Sequence, residues 1–178
     1  NVQFVKCDLS GCDMSGYDLT GLNFSGANLT GVNIRGANLT GANMTSANLS
    51  GANMTSANLT GANLNESNLS GSNLTSANLS NVNLSGCNAT NANFTSCQLG
   101  GANMTSADVR GAVFTKAALL NVQFVKCDLS RRDMSGYDLT GANLNGSNLS
   151  GSNLTSANLS NANLHGCKAS SVNFTSCQ

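Results

Sequence analysis

The sequence predicts a solenoid of about nine 20-residue coils, since 178/20 ≈ 8.9. Three observations carry this prediction. Every fifth residue from Phe4 to Phe174 is apolar, without a slip in the count. The residue two places earlier is nearly always small, as at Ala27, Ala37, Ala42, Ala47, Ser67 and Ser72. Internal matches are offset by 120 and 80 residues: 1–20 matches 121–140 at 18 of 20 positions, and 61–98 matches 141–178 at 31 of 38. A strict period of five fits neither a helix nor a flat strand, so the repeat itself is the structural unit. Offsets in whole multiples of 20 keep each residue on its own side, which points to 20 residues per turn.

The chain reads as one unit, 1–178, with this duplication inside it. Residues 1–20 are ordinary repeat with extra charge at Lys6, Asp8, Asp13 and Asp18. The next stretch is the most regular, with quintets such as Ala27-Asn28-Leu29-Thr30-Gly31. Sorted by period 20, the apolar centres form columns, one of them Leu from Leu19 through Leu159. Only Ala89 and Ala169 shrink the centre to alanine, and Phe94 and Phe174 lie in the same coils, which reads as volume compensation. Asp108 to Leu120 is the least typical segment, with Val113, Ala117 and Ala118 where Asn, a small residue and Asn are expected; an apolar patch is expected around Val113 and Leu120. Residues 121–140 repeat the first coil with Arg131-Arg132 in place of Gly11-Cys12.

This pattern of small residue, Asn, Leu, Ser/Thr and Gly/Ser, repeated in one frame over the whole chain, resembles the pentapeptide-repeat family. The resemblance implies an all-β fold, a right-handed quadrilateral β-helix in which each quintet forms one side. The centre and the small residue two before it would point inward, and the other three would face solvent. One large and one small inward residue per side suits a narrow, close-packed interior. Asn and Gly are poor strand formers, so stability must come from stacking coils about 4.8 Å apart, with the Asn residues in amide ladders. No capping element is visible at either end, so end-to-end association is expected, or the chain is an excised piece.

Composition excludes several classes. Lys plus Arg and Asp plus Glu both number 8, and no basic stripe for nucleic acid appears. Between Arg35 and Asp108 the only charged residue is Glu66. Some members of the resembled family mimic DNA and bind DNA gyrase; that requires a strongly negative surface, which a net charge of zero does not supply. No segment has the roughly 20 apolar residues of a membrane span, and no signal peptide is recognisable.

No constellation of residues points to catalysis, a metal or a cofactor. All seven cysteines (Cys7, Cys12, Cys87, Cys97, Cys127, Cys167, Cys177) fall at the small inward position and read as small hydrophobes. Their number and spacing argue against a disulfide framework, and reduced thiols suit a cytoplasmic setting. His165 is the sole histidine, predicted on the surface. The Asp residues at 8, 13 and 18 occupy successive sides and do not converge, and a lumen filled with leucine is expected to hold no pocket. Asn-x-Ser/Thr triplets arise automatically from the consensus.

One column suggests a binding face: Thr55, Thr75, Thr95, Thr115, Thr155 and Thr175, flanked by Asn and Ser. Such a flat, uncharged lattice could lie against a partner or a crystalline surface such as ice or polysaccharide, although threonine also favours exposed β positions for its own reasons. The expected function is therefore a non-enzymatic structural or interaction rod with protein or self as partner.

Overall fold

The structure, a computed structural model, describes residues 2–115 and 117–178. Each quintet forms one side of a four-sided coil: a single bridged residue, the apolar centre, then a two-residue turn. All bridges are parallel and join residues 20 apart, as in the series Asn23, Asn43, Asn63, Asn83, Asn103. A regular side carries three backbone bonds to its neighbours. Leu59 N–H donates to Asn78 O (2.7 Å), Gly61 N–H to Ser80 O (3.0 Å), and Asn78 N–H to Ala57 O (2.9 Å). At each corner the chain turns through a bond such as Ala62 N–H to Leu59 O (2.9 Å). The last turn residue is left-handed, which favours glycine there. Gly111 (φ +69°) is doubly constrained, because a Cβ would lie 2.1 Å from Asn91 Oδ1 in the coil below.

Side-chain amides reinforce this backbone ladder. Asn68 Nδ2 donates to Asn48 Oδ1 (3.2 Å), and Asn103 Nδ2 to Asn83 Oδ1 (3.3 Å), as the amide-ladder expectation requires. The same Oδ1 atom often accepts the backbone N–H two residues ahead, as from Thr55 to Asn53 (3.2 Å). These bonds draw the Asn side chains inward, so most are half-buried rather than free in solvent.

Inside, the centres and small residues form one continuous core from Leu19 to Ala157. Columns of centres stack directly: Phe94 and Phe114 lie 4.9 Å apart with rings 3° from parallel. Ala89 and Phe94 are both completely buried in one coil, in keeping with volume compensation.

One junction breaks the pattern. Between coils 101–120 and 121–140, the Asn103–Gln123 bridge is present. Among the described residues, Asp108, Val113 and Ala118 have no bridge to the coil above. The cause lies in the small inward slots of coil 121–140. Arg132 stands where aligned coils carry Ala52, Ala92 or Ala112, and Tyr137 where they carry Ala57, Ala77 or Ala157. Neither side chain fits a lumen sized for one large and one small residue per side. Arg132 Nη1 instead donates to Ala112 O (2.6 Å). In regular register that carbonyl would take the N–H of Asp133, just as Arg132 O takes that of Asn153 (2.8 Å). A side-chain donor thus replaces a lost ladder bond. Val113 and Leu120 are 44% and 46% exposed, matching the apolar patch expected there. The expectation of a lumen without a pocket fails at this point: the misfit leaves a cavity of about 230 Å³.

Candidate functional site

The fold puts Thr55, Thr75, Thr95, Thr115, Thr155 and Thr175 in one column on one side of the coil, each directly after an inward centre. Thr55 Oγ1 donates to Asn53 Oδ1 (2.7 Å), Thr75 to Asn73 (2.7 Å), Thr155 to Asn153 (2.6 Å) and Thr175 to Asn173 (2.7 Å). The hydroxyl protons of these four are therefore committed to the wall. Thr95 keeps the backbone bond to Asn93 (2.9 Å). Thr115 differs because Val113 occupies the Asn position. The column holds four threonines in consecutive coils, 55 to 115, before Ser135 interrupts it beyond the broken junction.

The Asp residues of the first coil do not converge, as expected. Asp8, Asp13 and Asp18 lie on successive sides, and each caps the residue two ahead: Ser10, Ser15 and Thr20. Hydrogen bonds from those residues hold the three carboxyls below the usual carboxylate range. Asp108 is lowered chiefly by its bond to Arg110, which it meets at 2.5 Å. His165 is exposed. Among the described residues, no cluster of three or more His, Cys, Asp or Glu could hold a metal ion, and no helix is long and apolar enough to cross a membrane.

The thiols add a feature that the sequence reading missed. All seven are unpaired, and Cys87, Cys97 and Cys127 are buried. Cys97 Sγ donates to Leu74 O (2.8 Å), Cys127 to Met104 O (3.0 Å) and Cys167 to Leu144 O (2.9 Å), each 23 residues back. The small slot thus faces a centre carbonyl of the preceding coil, and a thiol or hydroxyl there can bond it. Ser147 makes the same bond to Phe124 O. The period of 20 contained this signal, because a small-slot residue lies 23 positions after a centre.

Taken with this geometry, the sequence places the chain in the pentapeptide-repeat family. The family of pentapeptide repeats matches it along nearly its whole length, at residues 1–36, 23–61, 33–71, 52–91, 72–111, 92–131 and 133–175. Comparison with curated proteins finds no match. Among solved structures, it is similar to HetL, a pentapeptide repeat protein involved in heterocyst differentiation regulation from the cyanobacterium Nostoc sp. strain PCC 7120. That likeness has 26% identity and a TM-score of 0.64, over 100% of this chain and 88% of HetL. It is also similar to the pentapeptide repeat protein Rfr23 from the cyanobacterium Cyanothece 51142, with 28% identity and a TM-score of 0.60, over 62% of this chain and 89% of that one. A trypsin-treated form of QnrB1, a plasmid-mediated fluoroquinolone resistance protein, shares the fold at 24% identity and a TM-score of 0.59, over 94% of this chain and 79% of that one. The architecture is the right-handed β-helix of this family.

Proposed function

We propose that the chain is a non-enzymatic protein-interaction rod whose recognition surface is the side carrying Thr55, Thr75, Thr95, Thr115, Thr155 and Thr175. The run of four threonines in consecutive coils supports this most directly. The hydroxyls of Thr55, Thr75, Thr155 and Thr175 are already tied to their Asn neighbours, so docking on them orders few new rotamers. Neighbouring rows lie about 4.8 Å apart, a spacing that suits a flat polar partner surface. HetL, similar over the whole chain, is described as involved in regulation, which accords with binding rather than catalysis. A net charge of zero weighs against DNA mimicry.

The test places a photoreactive group at residue 75 or 95, and for comparison at Ser85 on another side. Reproducible capture of one protein from the Thr side, with affinity reduced at least tenfold by Thr75→Lys plus Thr95→Lys, is expected. Equal capture from both sides removes the assignment of the face. Adsorption to ice or polysaccharide through the same residues is the second reading, resting on the same regular spacing. For ice, thermal hysteresis abolished by the double Lys variant would decide in its favour.

A further inference from the structure

The broken junction between coils 101–120 and 121–140 does more than interrupt the ladder. Its cavity of about 230 Å³ is walled by Phe114, Leu119, Phe124, Leu129 and Met134. Phe114 and Phe124 meet edge to face at 5.8 Å, giving the cavity rigid aromatic walls. Arg132 runs along its side with the guanidinium 5.6 Å from the centre of the Phe114 ring. Two of its N–H groups are spent on Ala112 O and Val109 O. A guanidinium has five donors, so three have no partner among the described residues. The ion pair recorded there, Arg110 with Asp108, does not include Arg132. Asp133 also lines the cavity, but its Oδ1 accepts from Ser135 N–H (3.1 Å) and Asn153 Nδ2 (3.1 Å) rather than from Arg132.

A partly buried cation that no carboxylate touches, beside an apolar wall and with Asp128 acting on it only through space, gains from an anion that bonds it directly. We propose that this cleft binds a small carboxylate with a compact aromatic body. The ring enters among Phe114, Leu119 and Met134, and the carboxylate takes the free N–H groups of Arg132. Arg–carboxylate bonds of this kind are charge-assisted and among the stronger polar contacts. The cavity is smaller than the roughly 300–1,000 Å³ of drug-sized sites, so the ligand is of single-ring size. Arg132 is one of only two residues by which this coil differs from residues 1–20, where Cys12 stands in its place. The site is thus particular to this junction.

The probe is 3-phenylpropionate, added to the full chain carrying ¹³C-labelled methionine methyls. The chain has five methionines, which gives internal controls. The Met134 methyl is expected to shift saturably while Met44 and Met54 stay still. The uncharged 3-phenylpropionamide is expected to bind at least tenfold more weakly, about 1.4 kcal/mol. Arg132→Gln should abolish the shift, and Arg131→Gln, at the neighbouring exposed corner, should preserve it. No Met134 shift up to about 10 mM probe overturns the site. Equal binding of acid and amide overturns the role of Arg132, and that comparison uses the unaltered protein, so it stands even if Arg132→Gln misfolds. Thr115 borders both this cavity and the Thr face, but neither result tests Thr55, Thr75 or Thr95.

Discussion

At the scale of single residues, the small inward slot explains most of the cysteine chemistry. Burial pushes the thiols of Cys87, Cys97 and Cys127 up to about 12. At pH 8 the reactive thiolate is then on the order of one part in ten thousand at these sites. In the folded protein at pH 8, a disulfide-based thiol reagent should label exposed Cys12 rapidly and leave these three unreacted until denaturant is added. The same shift sets a sign for stability. A folded pKa raised above the unfolded value, here 9.0, leaves stability intact below pH 9 and erodes it as pH climbs towards 12. A midpoint in urea that stays flat or rises between pH 9 and 11 would contradict this account.

At the scale of the single side, two contributions can be separated by mutation. Leu59 is completely buried, and truncating a buried leucine costs about 3 kcal/mol through lost burial and the cavity left behind. Asn58 is half-buried; its Nδ2 donates to Thr40 Oγ1 (3.0 Å), and its Oδ1 accepts from Thr60 Oγ1 (2.7 Å). Asn58→Ala should cost about 1 kcal/mol, the net worth of such bonds in a partly wet site. Urea titrations should therefore rank Leu59→Ala well below Asn58→Ala in stability; the opposite order would make the amide ladder the main support. Both roles were legible in the sequence, because the period of five separates inward from outward positions without reference to the fold. The broken junction was only half legible. Val113 and Ala118 departed visibly from the Asn position, and Arg131-Arg132 departed from the first coil. Their consequence depended on stacking, since a large residue in the small slot matters only once the coil beneath is in place. The candidate Thr column was legible as a column. The commitment of its hydroxyls to Asn was not, because it depends on the side-chain rotamer rather than on residue type.

At the scale of the whole molecule, a solenoid's stability is a sum of coil terms and nearest-neighbour interfaces. A regular interface here bonds on four sides, whereas that between 101–120 and 121–140 is bridged through the side of Asn103 and Gln123. Residues 121–178 therefore form a block tied to the rest by the weakest interface among the described coils. They comprise about three coils and carry their own buried centres, among them Leu139, Leu144, Leu149 and Leu154. Under mildly denaturing conditions, amides of this block should lose protection against hydrogen exchange together, before those of 21–100. The cause can be tested directly. Arg132→Cys restores the residue found at Cys12, and Tyr137→Ala restores the alanine of the regular coils. Together they empty both small slots, allowing Asp128, Asp133 and Asp138 to pair with the coil below. The double variant should exchange as one unit and unfold at higher denaturant, although it loses the bond from Arg132 to Ala112. Uniform exchange in the parent chain would mean that the one bridged side couples the blocks as strongly as four. A double variant that still unfolds in two steps would place the weakness in Val113 and Ala118 rather than in the filled slots.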